Sequence, residues 1–332
     1  MKLGIVGSGG IVHVALDSLA KIDEIQVEAL WCRKKSEEKG MELCKKYGIP
    51  ALFCDYDEFL ADPNFDTVYI GLVNSAHYEY ALQALQAGKN VICEKPLTLT
   101  PMQSRKLIDT AKEKGLFLFE AIMSRYSDNF KALKENLDKI GKIKLVESRY
   151  CQYSSRYDAY RQGKVLPAFD VELGGGSLYD INLYCIQLII GLLGKPESVQ
   201  YLANIGFNGI DTSGILAMDY GDFKAMAVGA KDCSGMSKTF LQGEDGTIEI
   251  DSLPGRLENM VLKRKNQPDI VLDAVPLNDP METELRKIEK VVAANDYDTC
   301  YKWIETSQDV MQTLYDGRKS AGIIFPADSM EI

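Results

Sequence analysis

Three residue sets in this 332-residue sequence have the types and spacing to do chemistry. The first is Glu94-Lys95-Pro96, directly after the apolar run Asn90–Cys93. Proline restricts the residue before it to extended or turn geometry, so Lys95 starts no helix. It belongs to a loop just past a strand's carboxyl end, where open α/β sheets bind ligands. The second set is Asp180 and Tyr184, four apart on a predicted helix and so on one face of it, behind Gly174-Gly175-Gly176. The third is Gly7-Ser8-Gly9-Gly10 and Ile11, between a strand at Lys2–Val6 and a helix at Ile11–Ala20. A hydride carrier, a base for a hydroxyl proton and a group that polarises the oxygen are what alcohol oxidation needs. A tyrosine, with an ordinary pKa near ~10, becomes a better base beside an ammonium. The plainer alternatives are a charged turn for Glu94-Lys95-Pro96, a first-turn dipole residue for Asp180 and a core aromatic for Tyr184.

The elements that must position these residues read as alternating strands and helices up to about residue 123. Strands fall at Gln26–Trp31, Ala51–Cys54, Asp66–Leu72, Asn90–Cys93 and Leu116–Glu120, with helices between. Such alternation predicts a parallel, doubly wound sheet. The pattern then changes. Lys142–Tyr153 alternates as a half-buried strand should. Short strands with turn signals run from Ser198 to Val275 and predict a mostly antiparallel sheet. Two helices, Met281–Ala294 and Cys300–Gly317, are followed by an apolar strand at Gly322–Phe325.

Strand, glycine turn, helix is the context of a dinucleotide fingerprint. Gly7 permits the turn, Gly9 admits a pyrophosphate, and the helix N-terminus offers N–H groups to phosphate. The third glycine of that pattern is Val12, which predicts a wider approach of helix to strand. The second strand ends at Arg33-Lys34-Lys35 with no acid before Glu37, which favours a 2′-phosphate and NADP over NAD. Asn74 and His77 fall at another carboxyl-end loop, to touch the nicotinamide half or to cap the next helix. A net charge of −10 and a pI near 5.0 exclude a general nucleic-acid or anionic-membrane partner. Eight scattered cysteines without metal-site spacing suit the reduced thiols of a cytoplasmic protein, and two histidines make a multi-histidine metal site improbable. No apolar stretch reaches the length of a membrane span.

Taken together, Gly7-x-Gly9-Gly10, Asn74-x-x-His77, Ala87-Gly88-Lys89 before Glu94-Lys95-Pro96, Gly174-Gly175-Gly176 before Asp180 and Tyr184, and Ser320-Ala321-Gly322-Ile323 resemble the glucose–fructose oxidoreductase / inositol dehydrogenase (Gfo/Idh/MocA) family. Tyr184, where many members carry histidine, and Phe119–Arg125 are similar to the branch that contains dihydrodiol dehydrogenase. The resemblance implies a Rossmann domain over 1–123 and an α+β domain over 124–332 with an open, mostly antiparallel sheet. It implies a homodimer or larger homo-oligomer through that sheet, and a last helix packed back on the first domain. It also implies an NAD(P)-dependent enzyme acting on a sugar, sugar derivative or vicinal diol. Tyr184 would be its acid/base, Lys95 its electrostatic partner, and Asp180 a residue that orients Lys95 or bonds a substrate hydroxyl. Gly7, Ser8, Gly9, Gly10, Ile11, Arg33, Lys34, Asn74, His77 and Glu94 would hold the cofactor. Arg125, Arg156 and Arg161 are candidates for holding substrate, and the loops at 124–130 and 153–172 would set its identity. A dinucleotide sensor without turnover, or an enzyme that retains its cofactor and uses transient oxidation, are the alternative readings.

Overall fold

A computed structural model describes residues 1–273 and 278–329. The chain divides into two compact units. The first comprises Met1–Ala121 and Met281–Gln308; the second comprises Ile122–Pro280 and the segment that begins at Asp309.

In the first unit β1 (Lys2–Val6), α1 (Gly10–Leu19), β2 (Gln26–Trp31), α2 (Glu37–Tyr47), β3 (Ala51–Phe53), α3 (Tyr56–Ala61), β4 (Thr67–Ile70), α4 (His77–Gln86), β5 (Asn90–Glu94), α5 (Pro101–Lys114) and β6 (Leu118–Ala121) alternate. Every strand pairing is parallel, and the order is β3-β2-β1-β4-β5-β6. The order reverses between β1 and β4, and at such a switch point open sheets leave a ligand crevice. Both faces are covered, which is why β1, β4, β5 and β6 are nearly continuous apolar runs. Local signals set the helix ends: Thr100 accepts from Gln103 N at 3.3 Å with Pro101 behind it, and Gly115 closes α5 in the left-handed region.

The C-terminal helices add sequence-distant segments to the first unit. Most of α9 (Pro280–Ala293) and the first half of α10 (Tyr297–Ser320) belong to the first unit. Arg105 pairs with Glu305 through two nitrogens at 3.0 and 2.8 Å, Gln308 Oε1 accepts from Ser104 Oγ at 2.5 Å, and Arg286 pairs with Glu24 at 3.2 Å. The first unit is therefore not one continuous segment ending at residue 123.

In the second unit the further elements are α6 (Asp128–Glu135), β7 (Ile143–Cys151), α7 (Tyr157–Arg161), α8 (Leu183–Leu193), β8 (Ser198–Ile205), β9 (Asp211–Asp219), β10 (Lys224–Ala230), β11 (Thr239–Gly243), β12 (Gly246–Ile250), β13 (Met260–Arg264) and β14 (Ile270–Val271). The strand order is β14-β13-β12-β11-β7-β10-β9-β8, antiparallel throughout except for β7 beside β10. Of the strand-rich stretch expected to Val275, the last two residues lie outside the described ones. The strand expected at Gly322–Phe325 is absent. Its backbone is held locally instead: Gly322 N and Ile323 N donate to the carbonyls of Lys319 and Arg318 at 3.0 and 3.2 Å, the Arg318 side chain donates to Ile323 O at 3.0 Å, and Phe325 N donates to Asp328 Oδ2 at 3.1 Å. Among the described residues no helix is long and apolar enough to cross a membrane.

Candidate active site

The glycine turn after β1 is tight for a reason internal to the protein. Gly7 has φ +119°, and a Cβ there would stand 2.6 Å from Gly71 O. Gly9 and Gly10 differ: a Cβ at either would meet no protein atom within 4 Å. Packing does not demand glycine at these positions, and the open space suits a ligand that approaches the backbone. The N-terminus of α1 adds to this, with neither a side-chain cap nor an acid in its first turn to compete for its N–H groups. Around it lies a cleft of about 380 Å³ lined by Gly7, Ser8, Gly9, Gly10 and Ile11, by Trp31, Cys32, Arg33, Ser36 and Lys39, and by Gly71, Leu72, Val73, Ala76 and Tyr80. These residues fit a dinucleotide.

The expected wide approach at Val12 does not occur. Val12 is fully buried, and Gly71 at the end of β4 makes room for it. Of the cationic cluster, Arg33 lines the cleft. Lys34 instead pairs with Glu37 at 2.7 Å on the surface, and this partner raises the lysine's pKa. Ser36 and Lys39, three and six residues after Arg33 and so on the same side once a helix starts there, also line the cleft.

His77, Asn74 and Glu94 are not among the residues lining that cleft. His77 is completely buried, with Nδ1 2.7 Å from Pro96 O and Nε2 3.2 Å from Leu72 O, so it ties the loop after β4 to the loop after β5. Burial lowers its pKa, against the opposing effect of both carbonyls. Asn74 is half-buried, and the cap position of α4 is Ala76. Glu94 is buried and accepts from Tyr69 Oη at 2.7 Å. Burial pushes its carboxyl up, against the bond from Tyr69 and the charge of Lys95. Glu120 Oε1 accepts from Leu97 N at 3.0 Å. The Lys95 loop, which contains a cis Lys95–Pro96 bond, is thus fixed from three sides by His77, Glu94 and Glu120.

In the second unit the glycine run meets backbone. Gly175 N donates to Asp170 O at 2.8 Å, Gly176 N donates to Ala168 O at 3.1 Å, and a Cβ on Gly175 would press on Pro167 O. The helix that follows opens with a π turn, Leu178–Asn182, before α8 continues. Such turns are rare and cluster at functional sites. From 174 to 190 every residue is buried except two, Asp180 and Tyr184. The Tyr184 ring lies 5.9 Å from that of Tyr150 and packs over Gly255.

Asp180 has a partner that the sequence did not indicate. Lys231, just past the end of β10, is 2% exposed and places Nζ 2.7 Å from Asp180 Oδ2. Arg125 donates to Gln187 on α8, while Arg156 and Arg161 are exposed. No cluster of metal-ligating side chains occurs among the described residues, and all eight cysteines are free thiols.

Residues 1–122 match the oxidoreductase family with an NAD-binding Rossmann fold, and residues 130–249 match the Gfo/Idh/MocA C-terminal domain. The chain belongs to this family. It is 34% identical over 331 residues, 99% of both chains, to scyllo-inositol 2-dehydrogenase (NADP(+)) of Bacillus subtilis. It is 30% identical over 286 residues, 83% of both chains, to trans-1,2-dihydrobenzene-1,2-diol dehydrogenase of Xenopus tropicalis, in agreement with the branch that Tyr184 indicates. The 3-ketoreductase KijD10 of Actinomadura kijaniata, solved with NADP and TDP-benzene, superposes with a TM-score of 0.82 at 21% identity, covering 96% of this chain and 97% of its own. That likeness shows the shared fold. The match to an NAD-binding Rossmann fold includes the Gly7–Ile11 turn.

Proposed function

We propose that this oxidoreductase is an NADP-dependent dehydrogenase that acts on a secondary alcohol of a cyclic polyol, sugar or vicinal diol, with Tyr184 as acid/base. The observation that carries the reading is the exposure pattern of 174–190, where only Asp180 and Tyr184 reach the surface of an otherwise buried segment. A core tyrosine on an apolar helix has no reason to be accompanied, four residues earlier, by a half-exposed carboxylate.

The bound nicotinamide supplies hydride transfer. Tyr184 takes the hydroxyl proton in oxidation and returns it in reduction. Lys95 favours the phenolate and polarises the substrate oxygen. Asp180, held by Lys231, accepts a hydrogen bond from a neighbouring substrate hydroxyl. His77, Glu94 and Glu120 hold the Lys95 loop, so their part is to position that lysine. Arg33, Ser36 and Lys39 bind the 2′-phosphate. The names of the relatives support both the cofactor and the hydroxylated substrate.

The test is a fluorescence titration with NADPH and NADH, followed by turnover of scyllo-inositol, aldoses and trans-vicinal diols with NADP(+). Trp31 lines the cleft and reports binding directly. Tighter NADPH binding with turnover of any of these alcohols is expected. Binding without turnover across the panel overturns the enzyme reading in favour of a sensor.

We also propose that the protein is a homodimer through the open sheet. Leu202 and Phe207 are 62% and 64% exposed, and Ile205 and Ile215 are exposed beside them in the same region of β8 and β9. Apolar side chains gathered in this way mark an association surface. Sedimentation as a monomer at micromolar concentration would remove this part.

A further inference from the structure

Lys231 is the most fully enclosed ammonium of the second unit that touches a proposed site residue. Its Nζ lies 2.6 Å from Ala168 O, 2.7 Å from Asp180 Oδ2 and 3.5 Å from Gly176 O, and 4.6 Å from the Phe169 ring centroid. An ammonium has three donors, and here three acceptors surround it. Burying such a charge costs several kcal/mol unless it is paired and hydrogen-bonded. A fold that needed only to fill this position would carry an apolar side chain. The lysine instead reaches from the end of β10 to the π turn.

The surroundings make this a built arrangement. Lys231 N donates to Thr212 O at 2.9 Å, so the residue is anchored to β9 by its backbone. Below it, buried Asp211 Oδ2 accepts from Leu178 N at 2.7 Å and from Tyr201 Oη at 2.8 Å. Asp232 Oδ2 accepts from Thr212 and Ser213. Burial pushes the Asp211 carboxyl up, against the bonds from Tyr201 and Leu178 and the nearby charge of Lys231. Asp211 thus fixes the start of the π turn, and Lys231 fixes the side chain that the turn presents.

We propose that Lys231 is a positioning residue that holds the carboxylate of Asp180 in place to receive a substrate hydroxyl. The proposal rests on the reading that Asp180 belongs to the substrate site. It assigns to Lys231 the task of orienting Asp180. It also explains why the substrate class is polyhydroxylated: a carboxylate held by an internal ammonium is an acceptor suited to a second hydroxyl beside the one oxidised.

The test uses the full-length protein with NADP(+) and scyllo-inositol, or whichever alcohol of the panel is turned over. Variants are Lys231→Met, Lys231→Gln, Lys231→Arg, Asp180→Asn and the Lys231→Met/Asp180→Asn double variant. Expected are a 10-fold or greater rise in KM for Lys231→Met with unchanged NADPH binding, an acid limb of kcat/KM displaced to higher pH, and partial recovery in Lys231→Arg. The double variant should lose no more than Asp180→Asn, because Lys231 acts through Asp180. That same cycle separates the effect from any passed through Asp211 or Asp232, for which the two losses would multiply. Lys231→Gln keeps a donor for the two carbonyls and carries the same test if Lys231→Met does not fold. Multiplying losses, or a folded variant with unaltered pH profile and KM, overturn the proposal. Full activity in Asp180→Asn overturns the reading of the site on which it rests. If no alcohol is turned over, carbon-13 titration of the Asp180 carboxyl decides: its midpoint should rise in Lys231→Met, and an unmoved midpoint overturns the proposal.

Discussion

A Cβ placed on Gly71 would stand 2.7 Å from Val12 Cγ2 and 3.2 Å from Ile11 Cγ2. The two positions form one packing unit between β4 and α1. The fingerprint glycine that usually brings helix and strand together is missing from the helix, and its equivalent stands on the strand. The first prediction follows from this exchange. Gly71→Ala should destabilise the protein by about 1–3 kcal/mol through overpacking. Adding Val12→Ala should recover most of that loss, because the atom displaced is the valine methyl. Denaturant unfolding of the two single variants and the double variant measures the coupling, and simple additivity would show that the two do not interact.

Cofactor choice should depend on Arg33 far more than on Lys34. Arg33 lines the cleft, whereas Lys34 is engaged with Glu37. Loss of a charge-assisted bond to phosphate costs about 1.5–3 kcal/mol, or roughly 10–100-fold in affinity. Arg33→Ala should weaken NADPH by that factor and leave NADH within about 2-fold, while Lys34→Ala changes both little. Paired titrations read this directly, and equal loss for both nucleotides would remove the 2′-phosphate assignment.

Turnover should collapse in Tyr184→Phe and in Lys95→Met with little change in NADPH affinity. General acid/base catalysis contributes about 10²–10⁴-fold, and a loss in kcat of that order is expected for Tyr184→Phe. A Lys95→Met enzyme with full turnover would end the electrostatic role given to that lysine.

Acid should release the C-terminal segment. Arg318 is 1% exposed, stacks 4.2 Å from the Phe325 ring centroid, and pairs with Asp328 at 2.7 and 2.5 Å. Burial alone would raise the Asp328 carboxyl, but the bonds and charge of Arg318 outweigh it and the net shift is downward. A carboxylate lowered in the folded state contributes stability that is full above its unfolded pKa of about 3.9 and is lost as pH falls through the folded value. Asp328→Asn should cost about 3–5 kcal/mol at neutral pH, since it leaves a buried guanidinium without its counter-charge. It should also flatten the stability profile below pH about 4. Thermal unfolding across pH checks both.

A second pH dependence should come from His77. Its pKa is lowered by burial, so unfolding exposes a more basic imidazole. Stability is therefore full above the unfolded value near 6.5 and declines as pH falls from there toward the folded one. His77→Gln should lose this dependence. An unchanged slope in His77→Gln would assign the effect elsewhere.

Much of the first unit was legible because its signals are local. The glycine turn follows β1 by one residue, apolar runs mark strands covered on both faces, and Thr100-Pro101 marks a helix start. The tyrosine at 184 and Phe119–Arg125 also placed the chain in its family branch. The expected strand at Gly322–Phe325 failed for the opposite reason: Phe325 packs on Arg318, and the end of α10 and nearby side chains, rather than a neighbouring strand, take its backbone bonds.

By itself the sequence determined which residue types are available for hydride chemistry, that a parallel sheet precedes an antiparallel one, and that no acid ends β2. Only the tertiary structure decided which partners those residues have. Lys231 reaches Asp180 across 51 positions of chain, and Gly71 meets Val12 from another strand. His77 serves two carbonyls, in the loops after β4 and β5. Periodicity and spacing act over one turn or one strand, whereas a buried charge or a close approach takes its partner from whatever segment the fold brings beside it.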